Sequence, residues 1–586
     1  MTSPLQQHKR DFLADPRLLN ISAIAIIIGA FGTIAAWVLL NLIRLCTNLF
    51  FYQSLSFANR GPANHQLGLW VILIPVLGGL IIGLIARFGS EKIRGHGIPE
   101  AIEAILFGKS KMSAKVAILK PIASGIAIGS GGPFGAEGPI IMTGGALGSL
   151  IAQHFHLTAA ERKTLLVAGA TAGMTAVFGT PIAAVLLAVE LLLFELRPRS
   201  LLPVIIACAV AGFTRPLLLE AGPLFPLQTP VLGLAGLFSC LIAGIAGGAL
   251  SALMSTLLYR IEDGFHRLPL HWMWWPAVGG VVVGIGGYLE PRAFGVGYDV
   301  IGDLLNNRMA IEIALGLLLV KALMWLVALG SGTSGGVLAP LLMIGAGLGT
   351  VLAPWLPGGD AHLWPLVCMA AVLAGVLGAP LTAAVFAFGL TQDVNALLPL
   401  LLSTGVAYGF TVMTMRRSIM TEKIARRGHH IYREYGVDPL ERHHVDEVMS
   451  HSVTTIPGRL TIAAALEQFF DTQQSHRSYP VVDDEQRYIG MVERSSFTAS
   501  ALTDQPIGTL FDNGQQRQTD LPLALAGETC RVVAARMATL QLERLPVVTD
   551  LKQRRVIGII SRSDLIKPSE KFYDEEQKRE RISYAK

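Results

Sequence analysis

The first 415 residues are short of charge. They hold 40 Asp, Glu, Lys and Arg residues, about 10% of that stretch, whereas residues 416–586 hold 49, about 29%. An ordinary soluble domain carries roughly 25% charged residues. The deficit excludes a single soluble enzyme, and the ordinary content of the remainder excludes a protein embedded throughout in lipid. Cysteine is scarce too. Cys46, Cys208, Cys240, Cys368 and Cys530 are scattered, and no two make a C-x-x-C pair. Neither a disulfide framework nor a metal site is expected. Catalytic signatures are missing: there is no H-E-x-x-H, no lysine after a Gly-rich phosphate loop and no serine elbow. An enzyme is therefore not expected. A net charge of +5 is too small and too dispersed to argue for a nucleic-acid partner.

What is abundant is apolar. Hydrophobic residues make up 52% of the chain, and there are 62 glycines. Small residues let helices approach closely in lipid. Apolar runs occupy about 21–50, 69–88, 116–129, 139–155, 164–194, 200–219, 229–257, 272–289, 310–329, 337–355, 362–388 and 396–415. Roughly 20 apolar residues span a bilayer, so several runs are too short, and others are broken by Gly or Pro. Residues 1–20 are polar, with His8, Lys9, Arg10 and Arg17, and read as a cytoplasmic segment without a cleavable leader. The loop at 87–120 carries seven Lys or Arg and the exit at 416–427 five, against Arg60 alone at 51–68. The positive-inside rule then puts the basic segments and the charged C-terminal part in the cytoplasm, consistent with a bacterial inner membrane.

The apolar part repeats. The stretch 135-GAEGPIIMTGGALGSLIA-152 matches 336-GVLAPLLMIGAGLGTVLA-353, and 179-GTPIAAVLLAVE-190 matches 378-GAPLTAAVFAFG-389. Offsets of 201 (Pro139 to Pro340) and 199 (Pro181 to Pro380) argue for two related halves. Paired, interrupted apolar segments point to a substrate site at the bilayer midplane. Irregular backbone at that depth survives only inside protein or along a cavity. Pro139 and Pro340 each suit a first helical turn. Free N–H groups and the positive dipole end then face whatever lies ahead. Two such ends would hold an anion without a cationic side chain, weakly enough for it to leave.

Few carboxylates remain in this part, and each is a functional candidate. Glu137 lies in the first break between Gly135 and Gly138. There it can take the anion's place and leave on protonation, as a gate or proton carrier; its bland reading is a helix cap. Glu190 reads equally as a structural carboxylate or a proton relay. Glu195, beside Arg197 and Arg199, reads as a helix-end ion pair or as a functional carboxylate.

These motifs, in this order, resemble the CLC family of chloride channels and chloride/proton antiporters. The resemblance covers about residues 20–430. The segment 95-GHGIPE-100 is similar to the family's GSGIPE, 135-GAEGP-139 to GREGP, 336-GVLAP-340 to GIFAP, and 418-SIMTEKIARRG-428 to the end of the last membrane helix. The resemblance implies a homodimer with a pore in each subunit and inverted-topology halves. It implies that Glu137 is the external gate and that the amides of Val337 and Leu338 are central anion ligands. His96, Gly135, Gly138 and Met420 complete the implied anion site. His96 stands where the family has a pore serine, and Met420 where it has an inner tyrosine. A different anion is therefore an alternative substrate, since a neutral His offers one donor and a methionine none. Leu191 falls on the exchangers' internal glutamate, and Gly389 replaces a second-half glutamate. Glu195, four residues beyond Leu191, would lie one helical turn along the same face. Channel and exchanger both remain open.

Residues 444–499 and 505–568 read as two copies of a small α/β module. Strands 479-YPVVDD-484 and 545-LPVVTD-550 are followed by 488-YIGMVERSSF-497 and 556-VIGIISRSDL-565. They are similar to a tandem CBS pair. By that resemblance Ser561 and Asp564 are candidates to hold the ribose of an adenine nucleotide, while the first copy has Glu493 and Ser496 instead. A purely structural dimerisation module is the other reading. Residues 569–586 read as a charged, solvated tail. The expected architecture is an all-α polytopic membrane domain over 21–430 followed by this α/β pair. The expected function is transport of chloride or a similar anion, with protons in the exchanger reading and no cofactor required. The competing readings are a membrane enzyme or nutrient transporter and a CBS-based sensor on a membrane anchor. The first lacks a catalytic constellation, and the second would not need the repeat.

Overall fold

The computed structural model describes residues 16–429, 431, 438–470, 477–497, 504–511 and 521–567. The first 15 residues of the N-terminal segment and the tail at 569–586 lie outside the described residues. The chain divides into two compact units at residues 433/434.

The first unit is all helix. Its elements are α1 (Arg17–Tyr52), α2 (Leu73–Phe88), α3 (Ile98–Leu106), α4 (Ala114–Gly129), α5 (Glu137–Gln153), α6 (Ala159–Phe178), α7 (Pro181–Leu187), α8 (Pro198–Leu218), α9 (Leu234–His266), α10 (Trp275–Leu289), α11 (Tyr298–Leu305), α12 (Ile311–Gly330), α13 (Leu338–Leu352), α14 (Leu363–Leu377), α15 (Pro380–Thr391), α16 (Leu397–Thr414) and α17 (Ile419–Arg426). Seven helical stretches among the described residues are long and apolar enough to cross a membrane. Shorter helices arise where Pro or Gly punctuates an apolar run. The run at 164–194 is cut at Gly179, whose left-handed backbone caps α6, before Pro181 opens α7.

The repeat extends through the fold. Helices α1–α8 are matched in order by α9–α16. The two halves pack through equivalent residues. A Cβ on Gly79 would lie 2.6 Å from the Pro276 carbonyl carbon, and one on Gly280 would lie 2.6 Å from the Pro75 oxygen. Both crossings of α2 and α10 therefore need glycine. Two fully buried lysines are also equivalent. Lys120 Nζ donates to the carbonyls of Ile93 and Gly95 at 2.8 Å, and Lys321 Nζ donates to Ala293 at 2.9 Å and Gly295 at 2.8 Å. Each ammonium replaces lost water with carbonyl oxygens, which is how a buried cation becomes tolerable.

The second unit holds two three-stranded sheets of identical order. We number the strands β1 (Ile456–Pro457), β2 (Ser478–Val482), β3 (Tyr488–Glu493), β4 (Ala524–Leu525), β5 (Arg544–Val548) and β6 (Val556–Ser561). In each sheet the first strand is parallel to the second and the second antiparallel to the third. Pro480 and Pro546 sit where the central strand pairs on one side only, so the missing N–H breaks no ladder bond. The modules meet at Arg487–Arg555 and share a small core of Tyr488, Leu523 and Val548.

Candidate functional site

The two Gly-rich breaks meet. Gly135 and Gly336, equivalent at an offset of 201, form a reciprocal antiparallel bridge. Gly336 N–H donates to the Gly135 carbonyl at 3.0 Å, and Gly135 N–H donates to the Gly336 carbonyl at 3.4 Å. From this crossing α5 and α13 start, with Pro139 and Pro340 at their third residues. A Cβ on Gly138 would run into the His96 carbonyl and lie 3.2 Å from Gly336 Cα. Only backbone fits there, so the helix N-termini face each other at close range.

Glu137 is the first residue of α5 and is fully buried. Its Oε1 accepts from the Ala339 N–H at 2.9 Å, in the first turn of α13, within reach of the Leu338 amide. Its Oε2 has no partner among the described residues. The carboxylate thus lies on the N-terminus of the helix from the other half, where a bound anion would find its donors. Ala339 is absent from the sequence reading, which names Val337 and Leu338. The signal was available, because Ala339 carries the last free amide before Pro340.

His96 lies between two left-handed glycines, Gly95 (φ 80°) and Gly97 (φ 89°), which turn the buried loop before α3. It is buried, its Nδ1 is unpartnered among the described residues, and it lines a vestibule of about 780 Å³. Arg94, Lys423, Arg426 and Arg427 give this vestibule a cationic wall. Glu100 anchors part of that wall, pairing with Lys423 at 2.7 Å and Arg427 at 3.3 Å, and Arg427 also meets Glu103. These pairs fasten α17 to α3. Met420 lies on α17, fully buried in the apolar core, and does not line the vestibule. Lys120 makes a third bond, to Ser334 Oγ at 3.0 Å, tying the His96 loop to the second Gly-rich break.

The remaining carboxylates are engaged. Glu190 accepts from the backbone N–H of Leu381 (3.3 Å) and Thr382 (2.8 Å) and from Thr382 Oγ1 (2.6 Å). It caps α15 of the other half. Its equivalent, Gly389, has a Cβ position 2.6 Å from Thr180 Cγ2, so no side chain fits there. The helical-face argument for Glu195 fails. The chain passes into a wide π-turn over Ala188–Leu193, and Phe194 is left-handed (φ 52°), which ends the helix before Glu195. Glu195 accepts from Ser200 Oγ at 2.6 Å and pairs with Lys163 at 3.6 Å and Arg197 at 3.8 Å.

In the second unit Asp564 Oδ2 accepts from both Ser561 N–H (2.8 Å) and Ser561 Oγ (2.6 Å), and Lys567 pairs with Oδ1 at 2.6 Å. Burial opposes the charged form. The hydrogen bonds from Lys567 and Ser561 outweigh it and hold the Asp564 carboxyl below the usual carboxylate value.

Comparison with known proteins follows this geometry. The voltage gated chloride channel family matches residues 77–412, and the CBS domain matches residues 445–500 and 518–570. The voltage-gated ClC-type chloride channel ClcB of Escherichia coli O81 (strain ED1a) is 31% identical over 366 residues, covering 61% of this chain and 87% of its own length. A putative chloride channel protein ClcB-like of Ralstonia nicotianae is 28% identical over 372 residues, covering 61% of this chain and 85% of its own length. Among solved structures, a slow cyanobacterial Cl-/H+ antiporter superposes with a TM-score of 0.61 at 23% identity, covering 71% of this chain and 98% of its own. A eukaryotic CLC transporter superposes at 0.58 and 18% identity, covering 93% of this chain and 98% of its own. At such identities these structures speak for the fold. The spanning-length apolar helices and the matched family make this an integral membrane protein. The chain belongs to the voltage-gated chloride channel family, the CLC family, and carries a pair of CBS domains after its membrane part.

Proposed function

We propose that this protein moves chloride or a similar small anion across the membrane through a pathway in each subunit of a homodimer. The transporting part spans residues 21–430, and the modules at 444–499 and 505–568 face the cytoplasm and regulate it. The anion is held by the α5 and α13 N-termini, with Gly135 and Gly138 leaving room and Val337, Leu338 and Ala339 supplying amides. His96 adds one ring donor from the vestibule, and Met420 contributes packing only. Glu137 is the gate. The observation that carries this reading is its carboxylate seated on the Ala339 amide, in the place an anion would take. Proton coupling would need a second internal carboxylate. Glu190 caps α15 and Glu195 is ion-paired, which favours anion movement without obligatory proton exchange. The Ser561–Asp564 pair is the proposed ribose contact of an adenine nucleotide.

The test is chloride efflux from proteoliposomes with simultaneous pH recording. Efflux is expected without proton movement against its gradient, and Glu137→Gln is expected to keep efflux while flattening its pH dependence. Uphill proton movement driven by chloride would replace the channel reading by an exchanger. No anion flux from a folded dimer would overturn the transport reading.

A further inference from the structure

We propose that the hydroxyl of Tyr298 is the second docking point of the Glu137 carboxyl, taken up when that carboxyl leaves the Ala339 amide. The inference rests on the gate reading above. Two buried polar atoms carried by elements that pack on the start of α13 lack partners among the described residues. Glu137 Oε2 is buried and unpartnered among the described residues, and so is the Tyr298 hydroxyl. Gly297, next to Tyr298, sits against Met343 of α13, and the Glu137 carboxylate lies within electrostatic range of the hydroxyl. Tyr298 is the first residue of α11, which packs on α13, the helix whose first turn now holds Glu137.

The repeat explains its position. The segment 295-GVGY-298 is the second-half equivalent of 95-GHGI-98, and Gly297 (φ 75°) turns the chain as Gly97 does. The equivalent loops thus carry His96 in the first half and Tyr298 in the second. Tyr298 lines a separate cavity of about 590 Å³ together with Arg44, Arg215 and Arg292. Its hydroxyl is nevertheless buried, so the ring forms cavity wall while the oxygen points inward. Phe178 fixes the ring edge-on at 6.3 Å, and Phe225 lies at 6.2 Å. A fixed phenol suits the task. It donates a short, strong hydrogen bond to a carboxylate. The departing gate then exchanges one donor for another rather than entering an apolar void.

Other charged or titratable groups near these residues are Arg60, Glu220 and Asp299 with the three arginines along the cavity, and His96 and Lys120 beside Gly138 and Gly97. None of them bonds to the Tyr298 hydroxyl or to Glu137 Oε2.

The test is Tyr298→Phe, which keeps the aromatic packing. Anion efflux is measured against pH in the native and Glu137→Ala backgrounds. At alkaline pH, Tyr298→Phe is expected to slow efflux several-fold in the native background. At acid pH, where a protonated gate needs no donor, it should have little effect. In the Glu137→Ala background it should have none. An equal loss in both backgrounds, or no loss in the native one, would overturn the proposal. A second readout does not depend on transport. The infrared carboxyl bands of Glu137, identified by difference against Glu137→Gln and followed across pH, should shift with Tyr298→Phe. Unshifted bands would overturn the contact even if no anion moved, so the failure of transport and of docking are told apart.

Discussion

At the scale of single residues, the informative side chains have partners far away in sequence. Asp564 differs, since its partners Ser561 and Lys567 lie three residues to either side. Its lowered carboxyl makes a pH prediction. A group whose folded value is depressed stabilises the fold above its unfolded value, roughly 3.9 for Asp, and loses that contribution as pH falls through the folded value. Amide exchange over residues 556–567 of the intact protein, corrected for intrinsic rates, should therefore accelerate below about pH 4. Asp564→Asn should exchange faster already at neutral pH and show a weaker acid step; an unchanged profile would remove the pair from the argument. This motif was legible because it is local. Glu190 was not, because its partner Thr382 lies in the other half, where no sequence-local rule reaches. Lys120 went unnoticed as a tie to Ser334 for the same reason, although its equivalence with Lys321 was there to be found. Glu195 misled because an α-helical period was extended through a π-turn and a left-handed residue.

At the scale of elements, the breaks count for more than the helices. Glycine and proline mark them directly, so the crossing of the two halves could be read from spacing alone. What spacing could not give is which amide is used, because that depends on how two helix starts meet. The crossing predicts its own sensitivity. A Cβ on Gly336 would lie 2.5 Å from the Gly135 oxygen and 2.8 Å from Glu137 Cδ. Both neighbours are held, one in backbone and one by its hydrogen bond, so the strain cannot relax cheaply. Gly336→Ala should cost about 1–3 kcal/mol, seen as a lower melting temperature in detergent, and should disturb anion flux together with its pH dependence. Gly405→Ala, which meets nothing within 4 Å in α16, is the control. Equal melting temperatures for the two variants would show that the crossing tolerates a methyl group.

At the scale of the whole molecule, the membrane part is two eight-helix halves on one chain. They are joined by the segment between α8 and α9, where Glu220, Ala221 and Gly222 are exposed. Exposed, irregular connections tolerate cleavage when the packing on either side is intact. The second half keeps the following stretch by its own bonds, Phe225 N–H to Leu390 and Leu227 N–H to Thr391. Fragments 1–221 and 222–586, co-expressed, should therefore associate in the membrane and copurify with anion flux retained. Fragments that insert but fail to associate would show that the halves need their tether to find each other.

The reciprocal bridge between Gly135 and Gly336 has a consequence for descent. After a duplication, two copies usually drift apart by trading changes, one compensating for the other. At this crossing each glycine bonds the backbone of its own duplicate, and a methyl group on Gly336 would meet the Gly135 oxygen while one on Gly135 would meet the Glu137 carboxylate, so neither is accommodated by trimming the other. An intermediate with one altered copy strains the contact. Selection therefore sees the pair as one indivisible character, while the helices leading away from it, and the residues at 96 and 298 beside it, were free to become different things.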